Sequence, residues 1–514
     1  MSDGSRLATM IFLPDGDGPW PTVLVRTPYG RFAYHGLVAG AVQAGYAAAV
    51  QDHRGRFDSE GENVAFIGCG WGEHRDGYET VEWVAGQPWC NGKVATLGGS
   101  AMGITQYLLA PTAPPHLVCQ VIAVATPDLS AQADYPGGMF RKEQVEEWLR
   151  NCGFDETNLE LLRGHYVRDE WTDLFDALRP DRVAQVRVPG LHIGGWFDTF
   201  QQGPLDGYRS RQHGGGEGAR GTQRLILGPW THGVGGRVAG EVEWPENAAV
   251  DVWRETLRFL DYWMKGQDDG LGDEPPVRYY LMGAVGEEDA PGREWIAAED
   301  WPPPAEPMPL YLRAGGELLP ETATSREGHE TLRHDPFYPV PSHGGFNLNI
   351  PSGPMDQHVL EQRKDVLVWT SPPLDAPLEV AGPVRARLWV SSNCLDTDFV
   401  VKLCDVYPDG RSMLVTYGGL RMRFRNGRDR EELLEVDEVY EVEVDLWSTA
   451  HVFAAGHRVR VDVQSSDYPH FDINPGSGEA LHQHTFVLAA LNRVYMGPDR
   501  PSRIVLPVTS EDGR

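Results

Sequence analysis

The stretch KVATLGGSAMG, residues 93–103, decides the fold of this chain. An apolar run ends in two glycines, and the turn around Ser100 leads into TQYLLA, which has the composition of a helix. A serine between a strand and a helix sits in a strained turn, which needs small neighbours such as Gly98 and Gly103. Met102 replaces the second glycine of the usual G-x-S-x-G pattern. Taken alone, the stretch fits a nucleophile turn and an ordinary Gly-Ser turn equally well.

The segments around this stretch alternate between strand and helix. Buried strands are predicted at TVLVRTPYG (22–30), YAAAVQDHRG (46–55) and LVCQVIAVAT (117–126), with helices at HGLVAGAVQAG (35–45) and RDGYETVEWVAGQPW (75–89). Such alternation is typical of a parallel sheet that is covered by helices. The sequence therefore predicts an α/β fold.

Two later strands each end on a polar residue. VPGLHIGGWFD (188–198) delivers Asp198, and QRLILGPWTHG (223–233) delivers His232. The carboxyl ends of parallel strands meet at one edge of a sheet, where α/β proteins place their sites. With Ser100 first in the chain, these residues follow the order of an α/β-hydrolase, and we predict that they form its catalytic triad. His232 would accept the proton of the Ser100 hydroxyl, and Asp198 would orient the imidazole.

Such a triad also needs hydrogen-bond donors for the oxyanion that forms on the substrate. The backbone N–H of Ala101, at the start of the helix after Ser100, is the predicted first donor. The loop RTPYGR (26–31) offers the phenol of Tyr29 as a second donor. From the residues alone, an ordinary pocket aromatic is the better interpretation of Tyr29.

The rest of the chain divides into two regions of different character. Residues 127–186 contain helical segments such as EQVEEWLRNCG (143–153) and NLELLRGHYVRDEWTDLFDAL (158–178), and they predict a helical cap between two parts of a hydrolase domain, 1–126 and 187–300. After WPPPAEPMP (301–309) the pattern changes to short strands separated by turns, which predict a C-terminal β jelly-roll domain over 301–514. Its predicted strands are PLYLRA, DVLVWTS, VRARLWVSS, DFVVKLCDVYPDG, YEVEVDLW, HRVRVDVQSS and RIVLPVTS.

The composition excludes several classes of partner. The 514 residues carry a formal net charge of −29 at pH 7, which repels nucleic acid and anionic membranes. No stretch is long and apolar enough to span a bilayer, and the N-terminus lacks the pattern of a secretory leader, so we predict a soluble cytoplasmic protein. The six cysteines show no CxxC pair, so neither a disulfide framework nor a zinc knuckle is predicted. The oligomeric state stays open, and a homo-oligomer is compatible with the sequence.

Several motifs resemble the cocaine esterase and glutaryl-acylase family of serine hydrolases, relatives of the X-prolyl dipeptidyl-peptidases. They are RTPY, QDHRGRFDSEGE, PWCNGKVATLGGSAMG, GGWFD, LGPWTH and LYLRAGGEL, and they occur in the family's order over nearly the whole chain. The resemblance implies an α/β-hydrolase domain, a helical cap and a C-terminal jelly roll. It also implies that Ser100, Asp198 and His232 are the triad, and that Tyr29 is the oxyanion donor beside Ala101.

The resemblance bears on other acidic positions as well. DHRGRFDSEG (52–61) is similar to a structural loop of the family, so no catalytic role is implied for Asp52 or Arg54. Relatives that act on α-amino acid esters hold the substrate ammonium with a carboxylate cluster. Here Asp198 is followed by TFQQ, which contains no acid, and Asp134 is a single carboxylate at the start of the cap. A lone Asp there is at least as typical of a helix or turn cap, so amino-ester specificity is disfavoured.

No cofactor or metal is predicted. Asp396, Asp398 and Asp405 lie in LDTDFVVKLCD (395–405), where an acidic turn at a strand end explains them better than a cation site. The two histidines of HQH (482–484) have no obvious third ligand and are weak evidence for a metal.

These observations lead to hypotheses of different classes. The leading hypothesis is a serine hydrolase that cleaves a small-molecule carboxylic ester, neutral or apolar, through an acyl-enzyme, with an amide or a lactone as the next substrate. The alternatives among enzymes are a peptidase that releases N-terminal dipeptides and an acyltransferase on the same scaffold. A non-catalytic binding protein is disfavoured by the intact Ser, Asp and His. The identity of the acyl group and the alcohol depends on the cap and cannot be derived from the sequence.

Overall fold

The structure is a computed structural model that describes residues 1–325 and 328–509. A mostly parallel sheet forms its first half. β1 and β11 run antiparallel to their neighbours, and the pairs between them are parallel, in the spatial order β1-β3-β2-β4-β5-β6-β7-β10-β11. This is the predicted α/β-hydrolase fold. The strands are β1 (Thr9–Phe12), β2 (Trp20–Thr27), β3 (Ala47–Asp52), β4 (Cys90–Gly99), β5 (Leu117–Ala123), β6 (Gly190–Gly195), β7 (Arg224–Gly228), the separate hairpin β8 (Val238–Ala239) and β9 (Val242–Glu243), β10 (Val277–Gly283) and β11 (Glu294–Ala298).

Helices cover both faces of this sheet. Successive side chains of a strand point to opposite faces. Val23 and Val25 accordingly pack in one cluster with Val38, whereas Leu24 packs in another with Val81. The helices are α1 (His35–Gln43), α2 (Asp76–Ala85), α3 (Ala101–Leu109), the cap helices α4 (Lys142–Asn151), α5 (Glu156–Gly164), α6 (Glu170–Asp173) and α7 (Pro180–Val183), and then α8 (Gln202–Gly214) and α9 (Val252–Leu260).

The cap is more broken than the sequence predicted. The prediction of helix over residues 158–178 is only partly confirmed, because α5 ends at Gly164 and α6 is a separate short helix. Asp169 starts the new helix: its carboxylate accepts the N–H of Thr172 at 2.9 Å, and its own N–H donates to the Thr172 hydroxyl at 2.8 Å. Such a capping box fixes a helix start, so the chain turns here instead of continuing.

The C-terminal part is the predicted β domain, in which two groups of strands enclose one apolar core. The elements are β12 (Glu306–Arg313), β13 (Glu317–Leu319), β14 (Gly328–His334), α10 (His358–Glu361), β15 (Val366–Thr370), β16 (Leu378–Ser392), β17 (Asp398–Val406), β18 (Ser412–Arg421), β19 (Tyr440–Phe453), β20 (Arg458–Gln464), β21 (Ala490–Met496) and β22 (Arg503–Val508). β16 pairs with β19 on one side and with β21 and β22 on the other, while β20 pairs with β15 and β17.

Four of these strands, β13, β14, β18 and β21, were not predicted from the sequence. In β14 the run GHETLRH buries only Leu332 and His334, which is too weak an alternation to stand out. Ser510, the last residue of the predicted strand RIVLPVTS, and residues 511–514 of the predicted jelly roll lie outside the described residues. The domain limits at 126, 186 and 300 stay predictions. Among the described residues, the helices are all too short or too polar to cross a membrane.

Candidate active site

Ser100 occupies the turn between β4 and α3 with a φ of 57° and a ψ of −130°. A positive φ is strained for a residue with a side chain, and it persists only where packing enforces it. A Cβ on Gly98 would lie 2.5 Å from the Cβ of Met102, and one on Gly103 would lie 2.6 Å from the Cβ of Ala125. Both glycines are therefore required, and Met102 fits the turn because Gly98 leaves room for it.

Ser100, His232 and Asp198 form one hydrogen-bonded chain. His232 Nε2 lies 2.9 Å from Ser100 Oγ, and His232 Nδ1 lies 2.6 Å from Asp198 Oδ1. The Asp198 side chain is fully buried, whereas a quarter of the His232 side chain is exposed. A buried carboxylate on Nδ1 fixes the imidazole so that Nε2 can take the serine proton.

The two later strands deliver their residues through tight turns. A Cβ on Gly195, at the end of β6, would lie 2.3 Å from the carbonyl oxygen of Trp230, so the loops after β6 and β7 can approach only at a glycine. The N–H of Phe197 donates to that same carbonyl oxygen at 2.9 Å. The ring of Phe200 lies 5.8 Å from the His232 ring, edge to face. The loops that carry Asp198 and His232 therefore support each other directly.

The phenol of Tyr29 lies beside the nucleophile. Burial raises the pKa of Tyr29, while hydrogen bonding to Trp148, to the Ser100 hydroxyl and to the backbone N–H of Ala101 lowers it. The phenol oxygen thus shares one small region with Ser100 and Ala101, as an oxyanion site requires. The residues alone indicated Ala101 as a donor, the resemblance to the family added Tyr29, and Trp148 emerged from neither.

A partly buried ion pair between Arg31 and Asp52 holds the loop that carries Tyr29. The backbone N–H of Arg31 donates to Asp52 Oδ1 at 2.5 Å, and its guanidinium binds the other carboxylate oxygen. The N–H of Tyr29 also donates to the Thr27 hydroxyl at 3.0 Å. Arg54 in turn forms two hydrogen bonds with Asp76, at 2.6 and 2.9 Å. Asp52 and Arg54 are thus structural partners, in keeping with the absence of a predicted catalytic role.

A largely apolar cavity opens at Ser100 and encloses about 610 Å³, including its mouth. Cap residues form most of the wall, and one residue, Leu348, comes from the segment that follows β14. Such a cavity suits an uncharged organic group next to the nucleophile. The apolar wall consists of Ala65, Phe66, Ile104, Leu129, Ala133, Val145, Leu162, Trp148, Trp171, Phe175, Phe200 and Leu348.

Asp134 is the only residue of this cavity wall with a charged form near neutral pH, among the residues described. It does not cap a helix or turn: its side chain forms no hydrogen bond or ion pair with any described residue, and only its backbone oxygen accepts a bond, from the N–H of Arg141 at 2.9 Å. Burial raises the pKa of Asp134 to about 7, against the effects of Arg428 and Arg141. The carboxyl group therefore changes charge near physiological pH.

The other acidic groups singled out by the sequence have protein partners. Asp396 pairs with Arg423 at 2.6 Å, and Asp398 pairs with Arg421 at 2.8 Å, all with buried side chains. Asp405 binds two histidines, His451 at 3.0 Å and His457 at 2.8 Å. Of HQH (482–484), His482 lies 3.1 Å from the hydroxyl of Tyr135. Asp398 and Asp405 lie within β17, in the predicted strand DFVVKLCDVYPDG, and Asp396 lies just before it, at the strand end.

One group in the described part of the chain has the spacing of metal ligands, namely Glu361, Cys404 and Asp462. It lies in the C-terminal β domain. Glu361 is paired with Arg460, and Lys402 also acts on Asp462, whose pKa burial raises to about 8. Two nearby cations and a carboxyl that is protonated at neutral pH disfavour a divalent ion here.

We expect treatment with excess EDTA to leave kcat unchanged, because no step at Ser100 requires this group. Turnover of an aryl ester before and after chelation and desalting measures the effect. Loss of turnover that zinc or calcium restores would contradict this expectation.

Comparisons with known proteins identify the family of this chain. The family described as X-Pro dipeptidyl-peptidase (S15 family) matches residues 3–174, and the X-Pro dipeptidyl-peptidase C-terminal non-catalytic domain matches residues 269–505. The chain is 32% identical to the cocaine esterase of Rhodococcus sp. (strain MB1 Bresler) over 99% of this chain and 97% of that protein. The chain belongs to the cocaine esterase family of serine hydrolases.

Solved structures place this cocaine esterase family member beside two further enzymes. An aminopeptidase from the marine sediment archaeon Thaumarchaeota archaeon superposes with a TM-score of 0.84 at 27% identity, over 99% of this chain and 95% of that one. An α-amino acid ester hydrolase superposes with a TM-score of 0.83 at 25% identity, with the same coverage. The predicted family and the predicted fold class are thus confirmed.

Proposed function

We propose that this chain hydrolyses a neutral or apolar carboxylic ester through an acyl-enzyme on Ser100. The hydrogen-bonded chain from Ser100 through His232 to Asp198 carries the proposal. The similarity to a cocaine esterase over the whole chain favours an ester, and the apolar cavity at Ser100 favours an uncharged group.

The reaction follows from these contacts. His232 Nε2 takes the Ser100 proton as Oγ attacks the ester carbonyl carbon, and the carbonyl oxygen becomes an oxyanion between Ala101 N–H and the Tyr29 phenol. The tetrahedral adduct collapses when His232 gives its proton to the leaving alcohol oxygen. Water then attacks the acyl-enzyme, again with His232 as base, and releases the carboxylic acid and free Ser100. Asp198 stays ionised and stabilises the imidazolium in both halves.

The test is intact-mass analysis with a fluorophosphonate. The wild-type chain should gain the mass of one phosphonyl group, and the adduct should map to the peptide that contains Ser100. An unreactive wild-type chain, or an adduct on another residue, would refute the assignment.

A second candidate is a peptidase that removes N-terminal dipeptides, which the S15 family match over residues 3–174 favours. Aryl esters and dipeptidyl-proline amides, compared by kcat/KM, separate the two functions. We expect the esters to be preferred, because the described residues of the cavity wall include one carboxylate, Asp134, and no cluster that would hold an α-ammonium group. A higher kcat/KM for the amides would establish the peptidase.

Replacement of Asp134 by leucine should tighten binding of an apolar acyl group. At pH 8 the Asp134 carboxyl, with its pKa near 7, is ionised and needs hydration that an apolar chain displaces. We expect KM for an aryl hexanoate to fall about tenfold at pH 8. At pH 6 the wild-type carboxyl is protonated and neutral, so the advantage of Asp134→Leu should shrink.

Asp206→Asn is the matched control for this experiment. Asp206 is also a carboxyl whose pKa burial raises, but it hydrogen bonds to Gln132 at 2.6 Å and does not line the cavity at Ser100. Its substitution should not alter the pH dependence of KM. Equal KM values for wild type and Asp134→Leu at both pH values would show that the carboxyl does not meet the acyl group.

We also infer a cytoplasmic location. All six cysteines are free thiols, five of them buried, which is typical of a protein that works in a reducing compartment. Fractionation of the native host cell tests this inference, and recovery in the extracellular medium would overturn it.

A further inference from the structure

The indole of Trp148 donates a hydrogen bond to the phenol oxygen of Tyr29, with Nε1 and Oη 2.9 Å apart. An indole N–H is a donor only, so the direction of this bond is certain without knowing any hydrogen position. The phenol has a single proton, and a donor now occupies one of its lone pairs. That proton must therefore point away from Trp148.

The remaining side of the phenol faces the nucleophile. The Ser100 hydroxyl and the Ala101 N–H both act on the same phenol oxygen. We propose that Trp148 is a positioning residue that turns the Tyr29 proton toward the oxyanion and strengthens it as a donor. The inference rests on the proposed function, because it assumes that an oxyanion forms beside Ser100.

Neighbouring aromatic rings fix the orientation of the Trp148 ring and therefore the direction of its indole N–H. The ring stacks on Phe66 at a centroid distance of 5.6 Å and an interplanar angle of 9°, and on Phe154 at 5.3 Å and 29°. The Tyr29 ring meets it edge to face at 6.3 Å. Rings that pack tightly leave few alternative rotamers, so the hydrogen bond costs little entropy when substrate binds.

The helix that carries Trp148 is itself anchored. Arg56 donates to the carbonyl oxygens of Cys152 and Gly153 just beyond α4, and Glu143 at its start accepts the N–H groups of Leu348 and Asn349, each at 3.0 Å. These bonds join the cap to the hydrolase domain and to the C-terminal part. The oxyanion donor is thus oriented by the cap.

The effects of the surroundings on the pKa of Tyr29 agree with a positioning role for Trp148. Burial raises the pKa of Tyr29, and the bond from Trp148 is the largest of the effects that lower it again. A phenol that already accepts a hydrogen bond is a stronger donor to an anion, since hydrogen bonds in a chain polarise one another. Loss of the indole N–H should therefore weaken the oxyanion bond without removing it.

The test replaces Trp148 by 3-benzothienylalanine, which keeps the two-ring shape and has sulfur in place of the N–H. Because Trp148 also lines the cavity, a shape-conserving change is needed to keep substrate packing constant. We expect kcat for an aryl ester to fall about tenfold, the effect of one lost hydrogen bond, with KM within about twofold of wild type. Trp148→Phe should lower kcat at least as much and serves as the genetically encoded variant.

A double-mutant cycle with Tyr29→Phe separates positioning from general damage. If Trp148 acts through the phenol, its replacement in the Tyr29→Phe background should change kcat by less than about twofold. The same fall in both backgrounds would overturn the proposal, as would more than half of the wild-type kcat in the benzothienyl variant. Failure of the proposed function looks different, because the wild-type chain would then not react with a fluorophosphonate.

Trp369 provides the matched control. Its ring is buried, its Nε1 donates to the carbonyl oxygen of Arg313 at 3.0 Å, and it lies on β15 in the C-terminal domain. The same analogue at Trp369 should lower Tm and leave kcat unchanged. A comparable fall in kcat at Trp369 would mean that lost stability, not lost orientation, explains the effect at Trp148.

Discussion

Ser100→Ala should lower kcat for an aryl ester by about 10⁶-fold, the scale seen when a triad nucleophile is removed elsewhere. The Ser100 hydroxyl lies 2.9 Å from His232 Nε2, the base that would take its proton. Without the hydroxyl no acyl-enzyme can form, and His232 has nothing to deprotonate. Initial rates of the purified variant measure the effect, and its melting temperature should match that of the wild type within a few degrees.

Two companion variants show whether the three residues act as a unit. His232→Ala should cost about as much as Ser100→Ala, and the double variant should be no worse than either, because removal of one member disables the relay. Asp198→Asn should be milder, since the histidine and serine remain. Turnover by Ser100→Ala above about 1% of wild type would exclude Ser100 as the nucleophile.

Tyr29→Phe should lower kcat about 100- to 1,000-fold, which corresponds to ~2.7–4 kcal/mol of lost transition-state stabilisation. The phenol hydrogen bonds to the Ser100 hydroxyl and to the Ala101 N–H, so it lies where the proposed oxyanion would form. Phenylalanine keeps the ring and its edge contact with Trp148, so the fall cannot come from a cavity. KM should change much less, because the oxyanion exists only in the transition state and the tetrahedral adduct.

Tyr34→Phe is the control on the same loop. The Tyr34 ring lies 6.4 Å from that of Tyr29, but it is not part of the cavity wall at Ser100. Its loss of a hydroxyl should alter kcat by less than about twofold. If Tyr29→Phe retains more than half of the wild-type turnover, Tyr29 is only a pocket wall, and the second donor must be a backbone amide of the same loop.

The meeting of Ser100, His232 and Asp198 could be predicted because their placement follows from a repeating rule. Parallel strands end at one edge, so the polar residues that follow β4, β6 and β7 must come close together. Gly98 and Gly103 marked the strained turn in advance, since a side chain at either would collide with its neighbours. Tyr29 has no such signal in its own loop, and only the resemblance to a family singled it out.

The remaining parts depend on partners that are distant in the chain. Trp148 lies in a cap helix where its spacing fits a core residue equally well, and nothing local indicates that it meets Tyr29, 119 positions earlier. The ion pair of Asp398 with Arg421, on the neighbouring strand β18, likewise has no signal in the local sequence. Asp134 had two interpretations, a carboxylate of the substrate site and a helix or turn cap, and only the fold shows that its carboxyl lies in the cavity. Pairings across domains cannot be derived from local pattern.

The wall of the cavity at Ser100 comes from three segments of the chain, namely the hydrolase domain, the cap and the segment around Leu348. The hydrolase sheet supplies the chemistry, whereas the cap and Leu348 supply most of the surface that a substrate touches. Glu143 joins the cap to the segment around Leu348, because its carboxylate accepts the N–H groups of Leu348 and Asn349. Substitutions in the cap and around Leu348 should therefore change the substrate preference of this chain, while the strand ends that carry Ser100, Asp198 and His232 stay untouched. Trp148 is the exception, because it lines this wall and also donates to Tyr29, so a change there would alter both the substrate surface and the proposed oxyanion donor.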